Sequence, residues 1–154
     1  MTIEQNLKEL GLELPAAAAP AANYVPYVLD GRTLYIAGQI PFLNGQSMHL
    51  GRVGDDLSVE QGRAAAQACA LNILAQVKAA VHGDWSRVDH CVKLGGFVNC
   101  PPDFTDHPEV INGASDLMVA ALGEAGKHAR FAVGSASLPR GVAVEIDAIF
   151  TLKD

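Results

Sequence analysis

Ser58-Val59-Glu60-Gln61 opens a long, regularly patterned run, and that run sets the terms for the whole architecture. Serine with glutamine three residues on is a capping box, in which two otherwise unpaired N–H groups of a helix start are satisfied reciprocally. From there Ala66, Cys69, Ile73, Val77 and Val81 recur at spacings of three and four. That spacing predicts a helix to about His82 with one apolar face, and Gly83 supplies its stop. A stripe of that length has to be covered by another layer, and most of the remaining chain reads as strand.

Tyr24 to Leu29 and Thr33 to Gly38 are β-branched and aromatic runs flanking Asp30-Gly31, a strong short-range hairpin signal. Val88 to Val98 reads as a further strand, ended by Pro101-Pro102, which cannot donate to a ladder. Residues 129–137 and 142–152 predict two more, joined through Leu138-Pro139-Arg140-Gly141. Glu109 to Ala125 predicts a second helix, apolar at Val110, Ala114, Leu117, Met118, Ala121 and Leu122. The glycine-rich stretch from Gly38 to Gly54 reads as a loop with a short strand near Ser47 to Leu50. Ahead of all this, Thr2 and Gln5 cap a short helix stopped by Gly11, and Pro15 to Pro20 encloses four alanines as an extended connector.

The predicted order is β-β-(β)-α-β-α-β-β, an α+β domain with a mixed sheet and two helices on one face. At 154 residues the chain is one domain, with residues 1–20 as helix and connector and 21–154 as core. Val28, Leu34, Ile36, Val92, Val144 and Ile146 leave apolar side chains pointing both ways. Two helices cover one face only, so the other is expected to pack against further subunits.

The net charge of −6 and the eleven scattered basic residues argue against nucleic acid as a partner, because a phosphate backbone needs clustered Lys and Arg. The alanine-rich run from Ala64 to Ala80 is interrupted by Gln67, Asn72, Gln76 and Lys78, too polar to span a bilayer. No secretory signal is read at the N-terminus. Cys69, Cys91 and Cys100 are odd in number and irregular in spacing, which predicts reduced thiols and a cytoplasmic protein. The five histidines are too scattered for a metal site, and no P-loop, dinucleotide or nucleophile-elbow motif occurs. No metal or organic cofactor is expected.

Arg130 stands at the head of an apolar strand, where its permanent charge needs an anion. That anion is either a protein carboxylate, Glu145 or Asp147, or a bound ligand. Glu145 and Asp147 are two apart on one strand and so share a face.

Tyr24, Ile36-Ala37-Gly38-Gln39-Ile40-Pro41, Asn112, Ala129-Arg130, Leu138-Pro139 and Val144-Glu145-Ile146-Asp147-Ala148 occur in that order over residues 20–152. Together they resemble the RidA (YjgF-like) reactive-intermediate deaminases, also known as L-PSP endoribonucleases, and a subgroup with an N-terminal helical extension. The resemblance implies a chorismate-mutase-like fold and a homotrimer with a central barrel-like core and clefts between subunits. It implies a small carboxylate-bearing metabolite as partner: 2-aminoacrylate and related enamine/imine intermediates, converted to 2-keto acid and ammonia. It assigns Arg130 to the substrate carboxylate and Glu145 to the attacking water. Tyr24 becomes a pocket wall, Ala37 and Gly38 a close backbone approach, and Asn112 a further contact. The family's serine before Gly-Gln is Ala37 here, and its cysteine two residues after the arginine is Ala132, so a hydroxyl and a thiol are absent. A metabolite-binding module without turnover is the alternative those absences favour. RNA cleavage, carried by the family's label, is set against the acidic charge.

Overall fold

In the computed structural model, which describes residues 2–19 and 22–154, the Gln61 N–H donates to the Ser58 hydroxyl at 3.1 Å. The Gln61 side chain accepts from the Ser58 N–H at 2.9 Å. Helix α2 (Val59–Ala80) starts from this box. Thr2 and Gln5 make the same pair ahead of α1 (Ile3–Glu9). Helix α3 (His107–Leu122) carries Pro108 in its first turn, where the missing N–H is not needed. It stops short of Ala125 because Gly123 takes a φ of 64°, and residues 123–126 tighten into a 3-10 turn.

The strands are β1 (Tyr27–Asp30), β2 (Thr33–Gln39), β3 (Phe42–Leu43), β4 (Gln46–Ser47), β5 (Val88–Asn99), β6 (Ala129–Ser135) and β7 (Val144–Leu152). Five of them form one mixed sheet in the order β1-β2-β7-β5-β6, with β5 and β6 parallel and the other pairs antiparallel. The first hairpin turns one residue later than Asp30-Gly31. Asp30 pairs with Thr33, so Gly31-Arg32 is the two-residue loop, with Gly31 at a φ of 60°. Glycine at the first central position suits a turn that matches strand twist. The loop after β2 holds a separate β3–β4 ribbon around Asn44 and Gly45 (φ 52° and 80°) instead of one strand near Ser47 to Leu50.

Helices α2 and α3 cover one face of the sheet, and Leu34, Ile36, Val144 and Ile146 are all buried beneath them. These four share the helical face while Val28 lies on the other, so the sheet does carry apolar side chains both ways. The apolar side chains of the open face are Val28, Tyr35, Phe97 and Val133, 39–51 % exposed. Helix α2 is buried around most of its middle and not on one face alone. Helix α3 packs along it, and the connector lies against it as well, the Gln76 amide donating to the Ala18 carbonyl at 2.8 Å. Among the described residues no helix is long and apolar enough to cross a membrane.

Candidate active site

Strand β2 carries one residue more than the strand it faces. Ile36 pairs with Ala148 and Gln39 with Ile146, leaving Ala37 and Gly38 as a bulge. Bulges bend a strand and re-aim its neighbours, and they recur beside active sites. This one is held by the Ala37 N–H donating to the Pro26 carbonyl and by the Gln39 amide donating to the Ala37 carbonyl, each at 2.9 Å. Gly38 sits directly against Glu145 of β7: a Cβ at position 38 would collide with Glu145 Oε1 and lie 3.2 Å from its Cδ. The glycine leaves room for the end of the Glu145 side chain and has no unusual φ.

Beside the bulge is a cavity of about 320 Å³ that brings together Tyr24, Ala37, Gly38 and Glu145. Ala18, Ala19 and Ala22 of the N-terminal segment, with Pro26, Ile40 and Phe42, add apolar lining. Asn72 of α2 reaches it as well, with its amide committed to the Ile40 and Phe42 carbonyls at 2.9 and 2.8 Å.

Glu145 is half-buried and, among the described residues, forms no ion pair. Burial, and then the like charge of Asp147 on the same face, push its carboxyl above the usual carboxylate range. A carboxylate that holds a proton more readily than normal, open to a cavity, is suited to taking a proton from water and giving it back.

Arg130 is elsewhere. It lies on β6, the edge strand, and its side chain turns to α3, where Nη1 donates to Ser115 Oγ at 3.0 Å and Nη2 reaches the Pro108 carbonyl at 3.5 Å. No carboxylate of the described residues pairs with it, so the structural ion pair with Glu145 or Asp147 does not form. His128 extends the contact. Its Nδ1 is 2.6 Å from the Gly126 carbonyl, which can only accept, so Nδ1 carries the proton of the neutral ring. Nε2 then accepts from Ser115 Oγ at 2.9 Å, and Ser115 Oγ accepts from Arg130. Asn112, half-buried on α3, does not line the Glu145 cavity, and neither does Arg130.

Arg140 was not anticipated as part of the site. It lines the Glu145 cavity from a turn between Pro139 and Gly141, at a φ of 60° that non-glycine residues seldom adopt. Its place between proline and glycine was the only sequence signal. Among the described residues no cluster of three or more metal-ligating side chains converges anywhere.

A five-stranded mixed sheet under a helical layer, with a glycine bulge pressed on a strand carboxylate, defines a chorismate-mutase-like α+β protein. The chain belongs to the family described as "YjgF/chorismate mutase-like, putative endoribonuclease", whose model matches residues 4–146. It is 50% identical over 153 residues to Protein TCP17 of Trypanosoma cruzi, covering 99% of this chain and 95% of that protein. The crystal structure of protein Atu1372 from Agrobacterium tumefaciens, described as of unknown function, is 51% identical with a TM-score of 0.93, over 98% of this chain and 92% of that one. A structure from Shewanella oneidensis, described as a "putative endoribonuclease", is 36% identical with a TM-score of 0.94, over 99% of this chain and all of that one.

Proposed function

We propose that this protein hydrolyses reactive enamine/imine intermediates of amino acids, yielding a 2-keto acid and ammonia, in the cytoplasm. The observation that carries the reading is Glu145: an unpaired carboxylate of raised proton affinity, held against Gly38 in a cavity large enough for a metabolite. Glu145 accepts a proton from water as the water oxygen bonds to the imine carbon. It passes that proton to the imine nitrogen, giving the carbinolamine. It then moves the hydroxyl proton to the amino nitrogen, so that ammonia departs as the C–N bond breaks and the carbinolamine oxygen becomes the keto oxygen. No external oxidant or reductant is needed.

A carboxylate-bearing substrate also needs a cation, and Arg130 supports that role because, among the described residues, only two of its five donors are engaged and no carboxylate neutralises it. One subunit does not unite Arg130 with Glu145. We assign Arg130, with Asn112, to the cleft of a neighbouring copy in a homotrimer whose open sheet faces form the central core, and Tyr24, Ala37 and Gly38 to the near wall. The apolar open face of Val28, Tyr35, Phe97 and Val133 supports that assembly. Ala37 and Ala132 favour a second reading, a 2-keto-acid sensor without turnover, because neither supplies a hydroxyl or thiol. A coupled assay decides: an amino-acid oxidase generates imines from a panel of amino acids, and keto-acid release is timed with and without the protein. Faster release supports the enzyme, whereas binding of 2-keto acid without acceleration supports the sensor.

A further inference from the structure

We infer that the alanine wall of the Glu145 cavity is a subsite for an apolar side chain, making bulky aliphatic or aromatic 2-imino acids the substrate class; this rests on the imine-hydrolysis reading above. Within one subunit, before the neighbouring copy closes the cleft, a three-carbon intermediate such as 2-aminoacrylate leaves much of this cavity empty. At about 320 Å³ it reaches the range of roughly 300–1,000 Å³ in which proteins hold considerably larger ligands. The surplus space has a definite chemistry. Ala18, Ala19 and Ala22 bring no polar side-chain atom to the lining, and Ile40 and Phe42 add larger apolar side chains to it. Small residues leave room where a longer side chain of the protein would otherwise fill the cavity.

Both walls are fixed from below, so the space is built and not incidental. Gln76 and Asn72, 1 % and 4 % exposed, donate to the carbonyls of Ala18 and of Ile40 and Phe42. Buried amides have no water to turn to, so these bonds are costly to break. Among the described residues the one cation lining this cavity is Arg140, exposed like Ala18, Ala19 and Ala22, and 2-oxoglutarate tests whether it draws an acidic side chain. Burying hydrocarbon against methyl groups is the interaction this wall favours.

The test titrates the full chain with four 2-keto acids, the products of the proposed reaction: pyruvate, 4-methyl-2-oxopentanoate, phenylpyruvate and 2-oxoglutarate. Oxidase-generated imines of alanine and leucine supply the kinetic counterpart. One methylene in an apolar pocket discriminates by ~10–200-fold, so the branched and aromatic acids are expected to bind at least about tenfold more tightly than pyruvate. Ala19→Phe, at an exposed position, should fill the subsite and weaken the branched and aromatic acids more than pyruvate, so that the preference is lost while the melting temperature is unchanged. Ala18→Val is the milder second variant, expected to trim the preference in the same direction. Tightest binding of pyruvate or 2-oxoglutarate by the wild type overturns the inference, as does equal weakening of all four ligands in both variants. A wild type that binds none of the four and accelerates no imine removes the underlying reading as well, a distinct outcome because it appears before any substitution is made.

Discussion

Gly38 and Glu145 are in such close contact across the β2–β7 pair that a single methyl group at position 38 would occupy the space of a carboxylate oxygen. Gly38→Ala therefore has to displace Glu145 or open the bulge. Overpacking of this kind costs about 1–3 kcal/mol, so the variant is expected to fold with a lowered melting temperature. A misplacement of about 1 Å in a catalytic group can cost about a hundredfold, and imine hydrolysis should fall on that order. Full activity in a folded Gly38→Ala protein would remove Glu145 from the reaction.

The pH dependence follows from the raised pKa of Glu145, caused by burial and then by Asp147. The folded chain holds this proton more tightly than the unfolded chain. Its contribution to stability is thus fully present below the unfolded value and lost as pH rises through the folded one. Across that window urea unfolding should show wild type losing stability relative to Glu145→Gln, which cannot titrate. Activity should run the other way, because the base works only when ionised. Removing the like charge with Asp147→Asn should shift this acid limb to lower pH, and Glu145→Gln should lower turnover by ~10²–10⁴-fold while 2-keto-acid binding survives. An acid limb unmoved by Asp147→Asn would assign it to another group.

Arg130→Ala should leave the fold intact, since among the described residues the side chain joins no ion pair and hydrogen-bonds only to Ser115 and the Pro108 carbonyl. Charged hydrogen bonds contribute roughly 1.5–3 kcal/mol, so loss of the grip should weaken 2-keto-acid binding at least tenfold. Ser115→Ala is expected to fall between the two, and Ser115→Thr, which keeps the hydroxyl between Arg130 and His128, to restore binding. Calorimetry on the three variants checks this order. An Arg130→Ala chain that fails to fold would make the arginine a structural group after all.

The open sheet face should close a homotrimer. Sedimentation at micromolar concentration is expected to give three copies, and Phe97→Asp, at a position 39 % exposed in one subunit, to release monomers. A wild type that sediments as a monomer would rule out any site shared between copies.

The chain announces its elements well and their register less well. Both capping boxes, the order of the core elements and the single helical layer follow from local chemistry, which is why Ser58, Thr2 and Gly83 were informative. The hairpin turn was placed one residue early because Asp-Gly does not say which of its members is central; the pairing of Asp30 with Thr33 decides it. Asn44-Gly45 is an equally good two-residue turn, hidden in a stretch that composition marks as loop. Glu145, Gly38, Ala37 and Tyr24 meet as their motifs suggested, but Arg130 faces α3 from the far edge of the sheet. Strand order is a long-range property, and no spacing along the chain reports it. Arg140 escaped notice because its role depends on a backbone conformation that the Pro-Arg-Gly sequence permits without requiring.

Asn72 and Gln76 lie one turn apart on α2, yet each fastens a different irregular segment of the cavity, one after the bulge and one in the connector. Two pieces of chain more than twenty residues apart in sequence thus hang from neighbouring pegs on a single rod. A relative could retune the ligands it accepts by exchanging Gln76, which does not line the cavity, with every lining residue left as it is. Divergence inside α2, easily dismissed as drift in a buried helix, is therefore where a change of diet in this lineage would first be written.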